Sequence, residues 1–337
     1  MPILNNMSRR AFFGTAGLAG MALLAGCAGN SSASTGSGSA SGSQSGAKGS
    51  LTVGTLATED ILPLWVAEKE GMFSEDGLDV SIVTFQSATE LIAGVASNEV
   101  DIAMTDIMVT ASMYASGIDV QMQWVTLGST ADQGRFGIMV GPDSDINSLE
   151  KLAGVPIGVG SNTILEYVMD KLMEGAGVPD DQIVVEELQK LPVRYQAMVS
   201  GEVAAAALPG TLLALGESDN CKLIADDTMG DNLSQSVMIA RAEVLADSEK
   251  AKALNAVRGV WDKAAEKINA NPEQYRDVLV TNANLPEAIA GTYPISTYPL
   301  AMLPTSTMVE PVLDWMQSKG YLTKQLGYDE TTGAFIA

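Results

Sequence analysis

One short pattern occurs twice in this chain and constrains its fold more than any other feature. Residues 97–106 pass from a polar turn through an apolar strand to a polar loop. Residues 197–213 repeat that order, with the turn at 200–202, the strand at 203–208 and the loop at 209–211. Because one structural unit is used twice, the sequence predicts two similar lobes.

The segments around the two copies alternate between apolar strands and helices, which is the pattern of an α/β fold. Two helix starts also have the capping-box pattern, Ser87 with Glu90 and Thr163 with Glu166. In such a box, the hydroxyl and the carboxylate each accept a hydrogen bond from a free backbone amide. We predict strands that include 51–55, 77–85, 120–127, 136–140, 155–159, 183–188, 203–208 and 235–240, and C-terminal helices at 248–270, 272–281 and 308–319.

The charge balance excludes two classes of partner. The chain has 41 Asp and Glu residues against 19 Lys and Arg, a formal net charge of −22. A surface this acidic repels nucleic acid and anionic lipid head groups, so we predict that the folded body binds neither. His is absent from the sequence, which removes the commonest general base and the commonest metal ligand. We therefore predict no catalytic residue, no metal and no cofactor.

The first 50 residues have the composition of a targeting segment followed by a tether. Ser8-Arg9-Arg10-Ala11-Phe12-Phe13 resembles a twin-arginine motif, and the apolar run 16–25 is too short to span a bilayer. Leu24-Ala25-Gly26-Cys27 resembles a bacterial lipobox, in which a signal peptidase cuts before the Cys and the sulfur carries diacylglycerol. The alternative is an ordinary signal peptide with an incidental Cys. We predict a signal peptide at 1–26 and a lipidated Cys27 that begins a flexible Ser- and Gly-rich linker over 27–50.

Short motifs between residue 51 and about residue 324 resemble one family of binding proteins. They include Pro63-Leu64-Trp65-Val66-Ala67, Gly71-Met72-Phe73 and Leu152-Ala153-Gly154-Val155-Pro156-Ile157-Gly158, and the segments 77–80, 98–101 and 201–206. Each motif alone is weak evidence for a family. In this order, behind a lipobox and a linker, they resemble the substrate-binding proteins of ATP-binding-cassette (ABC) importers, in the branch that includes the sulfonate, taurine, nitrate and thiamine-precursor binders.

That resemblance implies a type II periplasmic-binding-protein fold, in which two α/β lobes are joined by two crossover strands. The first lobe is expected to comprise 51–140 and 241–337, and the second 141–240, with the C-terminal helices packing on the first lobe. The lobes are expected to close on a small solute and deliver it to a membrane permease. The resemblance also implies a monomer that is lipid-anchored to the outer face of the cell membrane.

The loops that follow the strands are the candidate ligand-binding positions, because ligands of open α/β sheets bind beyond the carboxyl ends of the strands. In the first lobe these candidates are Thr58, Asp60, Gln86, Ser87, Thr105 and Asp106. In the second lobe they are Ser161, Asn162, Thr163, Arg194, Tyr195, Pro209 and Thr211. A solvated loop or a helix cap explains each residue equally well when it is taken alone, but together they converge on one cleft.

Two ligand classes fit these candidates. A sulfonate or nitrate requires a cation, or amides and hydroxyls, around the anion; Arg135, Arg194 and the 161–163 loop offer these. A cationic or amino-pyrimidine ligand requires carboxylates and an aromatic ring, and Glu59, Asp60, Asp106, Trp65 and Tyr195 offer those. After its second copy of the repeat the chain has Leu208-Pro209-Gly210-Thr211, where many sulfonate-type relatives have Trp-Asp-Pro. Both classes therefore stay open.

Two other functional classes share this architecture. A lipoprotein that serves a membrane receptor as a ligand sensor would have the same closing cleft. A pyrimidine synthase of thiamine biosynthesis also has this fold, but that family requires His and a Cys-rich iron site. The chain has no His, and Cys221, the one Cys in its folded body, is predicted to be an unreactive thiol. We therefore predict a solute-binding protein that is not an enzyme.

Overall fold

The structure is a computed structural model that describes residues 49–337. The predicted signal peptide, lipidation site and nearly all of the linker lie outside these residues. The strands are β1 (Gly49–Leu56), β2 (Leu78–Phe85), β3 (Ile102–Asp106), β4 (Val120–Leu127), β5 (Phe136–Val140), β6 (Pro156–Val159), β7 (Val184–Glu187), β8 (Ala205–Pro209), β9 (Lys222–Asp226), β10 (Ser236–Arg241), β11 (Gly327–Asp329) and β12 (Ala334–Ile336).

Helices separate most of these strands, as expected for an α/β fold. They are α1 (Leu62–Lys69), α2 (Met72–Glu75), α3 (Ala88–Ala96), α4 (Ile107–Ala115), α5 (Ile164–Gly175), α6 (Leu191–Val199), α7 (Gly210–Ser218), α8 (Ala242–Ala246), α9 (Ser248–Ala270), α10 (Arg276–Asn282), α11 (Glu287–Ala290) and α12 (Ser306–Ser318). In the part of the chain that the structure describes, none of them is both long and apolar enough to cross a bilayer.

Ten of the twelve strands form two five-stranded sheets with the same internal order, and β11 and β12 form a separate antiparallel pair. The first sheet has the order β2-β1-β3-β10-β4 and the second has the order β7-β6-β8-β5-β9. In each sheet, three neighbouring strands are parallel and one further strand, β10 or β5, runs antiparallel to both of its neighbours. The two sheets therefore have the same topology, and the predicted two-lobe α/β architecture is confirmed.

The repeated sequence pattern occupies the same position in both sheets. Its strand is β3 in the first sheet and β8 in the second, each at the centre of its sheet. All five residues of each strand are buried. Buried central strands have near-continuous apolar sequences when helices cover both faces, which explains why the pattern stood out in the sequence.

The chain passes between the sheets twice. It leaves the first sheet after β4 and enters the second at β5, and it leaves the second after β9 and returns at β10. The strand β5 pairs with β8 and β9, and β10 pairs with β3 and β4. We therefore place the lobe boundaries within 128–135 and 227–235, one strand earlier than the sequence-based boundaries at residues 140 and 240.

The C-terminal helices pack on the first sheet, as predicted. The helix α9 turns its apolar stripe to the core, with Trp261 between Trp124 and Tyr298 at ring-centroid distances of 5.9 and 6.3 Å. The Trp261 indole N–H donates to the Pro299 carbonyl at 2.9 Å, and the Tyr298 hydroxyl donates to the Glu59 carbonyl at 2.8 Å. This aromatic cluster therefore fixes the loop that follows β1.

The last helix, α12, contacts both halves of the structure. It packs on α4 and also reaches α5, where the Trp315 indole N–H donates to the Asp170 carboxylate at 2.9 Å. Lys319 lies 3.0 Å from the same carboxylate, and the Tyr321 hydroxyl donates to Glu166 at 2.8 Å. The sequence did not predict this contact, because helical periodicity shows which face of a helix is apolar but not which helix will cover it.

Candidate functional site

A cavity lies between the two sheets, at the edge where their parallel strands end. Its empty space measures about 580 Å³ when the part open to solvent is included. Polar residues of the first-sheet side that line it are Thr58, Asp60, Ser87, Thr105, Asp106 and Ser236. Polar residues of the second-sheet side that line it are Thr163, Gln189 and Arg194. The apolar wall is formed by Leu56, Ala88, Met104, Phe136, Ile164, Leu165, Leu191 and Pro209. We call this space the intersheet cavity.

Two of the lining residues come from the antiparallel strands. Ser236 begins β10 and pairs with Asp106, the last residue of β3. Phe136 begins β5 and pairs with Pro209, the last residue of β8. Because an antiparallel strand starts where its parallel neighbour ends, its first residue lies at the ligand edge of the sheet. Neither residue was predicted, because the sequence pattern indicates only the loops that follow strands.

Asp60 is held in the cavity wall by Ser236. The Ser236 hydroxyl donates to one oxygen of the Asp60 carboxylate, and none of residues 49–337 donates to the other oxygen. The Asp60 side chain is only 3% exposed. Thr58 precedes it at the start of the same loop, also buried, with its backbone N–H bound to the Leu56 carbonyl at 2.9 Å. The first loop thus presents one carboxylate oxygen to the intersheet cavity.

Asp106 joins the two sides of the cavity. One carboxylate oxygen accepts from the Val109 amide at 2.7 Å and so caps α4 in its own half. The other accepts from the Ile164 amide, at the start of α5 in the opposite half, at 3.1 Å. Burial raises the pKa of Asp106 to about 6, against the lowering effect of these backbone amides.

The cap of α5 differs from the sequence prediction. Thr163 makes no side-chain cap, because its hydroxyl donates to the Gly160 carbonyl at 2.7 Å. Glu166 accepts from the Asn162 amide at 2.5 Å. The predicted Thr163–Glu166 capping box is therefore wrong, and Asp106 supplies the missing acceptor from the other sheet. The Ser87–Glu90 box is confirmed in part: Ser87 accepts from the Glu90 amide at 3.2 Å, and Glu90 accepts from the Gln86 amide at 3.0 Å.

The two predicted cations differ in their availability. Arg135 is paired with Asp226 at 2.7 Å and Glu217 at 2.9 Å and does not line the cavity. Arg194 does line the cavity, and its side chain is nearly fully buried. It donates to the carbonyls of Leu188 and Ala207 at 2.8 and 3.0 Å, and burial lowers its pKa to about 10.

Direct contacts link the two sides around the cavity. The Leu191 amide donates to the Gln86 carbonyl at 3.3 Å, and Lys190 pairs with Glu90 at 2.7 Å. The Asn162 side-chain amide donates to the Ser112 hydroxyl at 2.5 Å. Together with the Asp106–Ile164 bond, these contacts show a structure in which the two halves meet around the cavity.

A buried acid lies at another contact between the halves. Glu59 accepts from the Tyr293 hydroxyl at 2.8 Å, and burial raises the pKa of Glu59 to about 8. Opposite it is Gly210, the first residue of α7, where a Cβ atom would lie 2.6 Å from the Glu59 carboxylate and 2.8 Å from the Tyr293 hydroxyl. Only glycine permits this approach.

Five predicted site residues do not line the intersheet cavity. Gln86 and Ser161 lie beside it: Gln86 bonds through its backbone, and Ser161 bonds to Glu187. Asn162 is used in the contact with Ser112. The Tyr195 hydroxyl donates to Asp219 at 2.6 Å, and Thr211 is buried behind Gly210 with no partner for its hydroxyl among residues 49–337. The other eight predicted residues line the cavity.

Groups typical of metal or thiol chemistry are not collected at the cavity. Within residues 49–337, no three Cys, Asp or Glu side chains are arranged to hold a metal ion. Cys221 is buried away from the cavity, beside Gly216, and burial raises the pKa of its thiol. That environment disfavours the reactive thiolate.

Residues 58–275 match the family described as NMT1/THI5 like. No curated protein matches the chain. The alkanesulfonate-binding protein SsuA from Xanthomonas axonopodis pv. citri, solved with MOPS bound, superposes with a TM-score of 0.68 at 16% identity. That match covers 82% of this chain and 95% of the SsuA chain.

Two further solved structures are similar. The ligand-binding component of an ABC-type import system from Staphylococcus aureus, with zinc bound, superposes with a TM-score of 0.69 at 14% identity, covering 80% of this chain and 92% of that chain. The desulfurization enzyme DSZB, in complex with biphenyl-2-sulfinic acid, superposes with a TM-score of 0.61 at 13% identity, covering 82% and 94%. At these identities the likeness shows the fold, and this fold carries both binding proteins and an enzyme.

Proposed function

This chain belongs to the NMT1/THI5-like family, and from that premise we propose that it is an extracytoplasmic solute-binding lipoprotein. It captures a small polar organic solute between its two lobes and delivers the solute to an ABC permease. The candidate solutes belong to two classes, sulfonate-like and thiamine-precursor-like compounds.

The single observation that carries this proposal is the intersheet cavity. Its walls come from the ends of corresponding strands in two sheets of the same topology, so a solute there contacts both lobes at once. Ligands that contact two lobes favour the closed arrangement over the open one, because binding energy is gained only when the lobes meet. The segments 128–135 and 227–235 are the connections about which the lobes would turn.

The chemistry of the cavity favours binding over catalysis. The sequence has no His, and Cys221 lies away from the cavity, so neither a Ser–His nor a Cys–His pair is formed there. A solute placed between Asp60 and Arg194 meets carboxylate, hydroxyl and guanidinium groups against an apolar wall. This combination of a few polar groups with apolar lining is typical of ligand sites.

A thermal-shift screen of sulfonates, nitrate, amino acids and thiamine precursors tests solute binding. A solute present at 100 times its Kd is expected to stabilise the protein by about 2.7 kcal/mol, and therefore to raise the melting temperature. Small-angle X-ray scattering of the same samples is expected to show a smaller particle with solute than without. No shift with any compound, together with an unchanged scattering profile, would refute the proposal.

The membrane anchor and the partner require separate tests. We propose that Cys27 carries the lipid, that the mature protein is a monomer, and that its partner is a permease. In cells labelled with a fatty acid, the wild type is expected to be labelled and Cys27→Ala is not. A cross-link to a sensor kinase rather than to a permease would favour the receptor alternative.

A further inference from the structure

The charged side chains that line the intersheet cavity are not balanced. Two carboxylates, Asp60 and Asp106, face one guanidinium, that of Arg194, which leaves one net negative charge. All three side chains are more than nine-tenths buried, with exposures of 3%, 7% and 2%. An apolar wall surrounds them, so water screens this charge weakly.

Most of the hydrogen-bond donors on the positive side of the cavity already have partners in the protein. Arg194 has five N–H donors, and three of them bond to the carbonyls of Leu188, Ala207 and Gln189. The start of α5, where an anion would be expected to bind, is occupied by the carboxylate of Asp106. An anionic solute that bound at the start of α5 would therefore have to displace Asp106 from the Ile164 amide.

The negative groups, in contrast, are available. Asp60 has one carboxylate oxygen without a donor among residues 49–337. Both oxygens of Asp106 accept from an amide, and each can accept one further hydrogen bond. Thr58 and Thr105 add hydroxyl oxygens on the same side of the cavity. The first-sheet side thus offers carboxylate and hydroxyl oxygens that can accept hydrogen bonds from a solute.

We propose that the solute carries a positively charged nitrogen head group and an apolar body, and that Asp60 and Asp106 select it. The head group donates to Asp60 and Asp106, and the body lies against the apolar wall. This inference rests on the proposed solute binding and narrows its ligand class.

The pH dependence of binding distinguishes a cation from an anion. In this structure, where the two halves meet, burial and the charge of Asp60 raise the pKa of Asp106 to about 6. The titratable groups that share the cavity with Asp106 are Asp60 and Arg194; its other neighbours are backbone amides. A bound cation lowers the pKa of Asp106. The affinity for that cation therefore falls as the pH drops below 6, by up to about 10-fold per pH unit, and stays constant above pH 6. The affinity for an anion changes with pH in the opposite direction.

Four compounds of one shape test the inference: benzamidine, benzamide, benzoate and benzenesulfonate, with cationic, neutral and anionic head groups. Calorimetric titration of the full chain without its signal peptide is expected to rank benzamidine first. Asp60→Asn and Asp106→Asn are each expected to weaken benzamidine about 10- to 100-fold, the loss of one charge-assisted hydrogen bond. Asn keeps an oxygen that can accept from Ser236 or cap α4, so both variants are expected to fold.

The control variant is Asp314→Asn, which removes the same charge from an exposed position of α12 and is expected to leave the benzamidine affinity unchanged. Tighter binding of benzoate or benzenesulfonate than of benzamidine would overturn the inference and leave solute binding intact. Equal losses in all three variants would overturn it too, because only the overall charge would then matter. If none of the four compounds binds, the inference fails, and the solute screen decides solute binding separately.

Discussion

Gly210 controls how closely the two lobes approach, and its replacement by Ala gives a quantitative prediction. The new Cβ atom would lie 2.6 Å from a Glu59 carboxylate oxygen, 2.8 Å from the Tyr293 hydroxyl and 3.4 Å from the Arg135 carbonyl. Ordinary van der Waals contact requires about 3.5–4.0 Å. Glu59 and Tyr293 bond to each other and are both buried, so neither side chain moves aside freely.

The replacement of Gly210 by Ala is therefore expected to hinder the closing of the two lobes. Adding a methyl group to a packed contact costs about 1–3 kcal/mol, which corresponds to a loss of about 5- to 150-fold in solute affinity. An open cleft accommodates the methyl group, and Ala is a better helix former than Gly at the start of α7. We therefore expect G210A to fold normally and to bind its solute weakly.

Titration calorimetry with a solute identified by the thermal-shift screen measures this effect. Gly175→Ala is the matched control, because it adds a methyl group to α5 at a position with nothing within 4 Å of the new Cβ atom. Wild-type affinity in G210A, with the same compaction in X-ray scattering, would refute our account of the contact between Glu59 and Gly210.

Three further predictions concern stability. Burial raises the pKa of Glu59 from its ordinary value of 4.5 to about 8 in the folded protein. The folded state therefore holds a proton that the unfolded state releases, and stability is lost as the pH rises from about 4.5 to 8. The melting temperature of Glu59→Gln is thus expected to match the wild type at pH 4 and exceed it at pH 8; an equal difference at both values would contradict this. Asp170→Ala removes the acceptor of Trp315 and the partner of Lys319. We expect it to lower the unfolding free energy in urea by about 3–5 kcal/mol. An unchanged urea midpoint would exclude the buried pair as a stabilising contact. Lys190→Ala breaks a half-exposed ion pair with Glu90 and is expected to lower the melting temperature only slightly, an effect that 1 M salt should remove; a large drop that persists in salt would contradict this.

The fold was predictable because its signals are local and occur twice. The strand before Asp106 and the strand before Pro209 are apolar runs between turn residues, and each lies at the centre of its sheet. Loops after strands were then the natural positions for a site, and most of the polar lining was found in this way.

The remaining part of the site depends on contacts between distant segments. Thr163 and Glu166 have the spacing of a capping box, but the amide of Ile164 bonds to Asp106 of the other sheet instead. Ser236 lies at the cavity because β10 is antiparallel to β3, and neither direction nor pairing is encoded in its local sequence. Tertiary contacts of this kind override local patterns, so sequence reasoning alone does not reach them.

A crystal structure of the protein with the strongest solute from the thermal-shift screen would show directly where the solute binds. We expect the solute in the intersheet cavity, between Asp60 and Arg194, with contacts to both sheets. Electron density for the solute on the outer surface, and none for it in the cavity, would contradict this expectation.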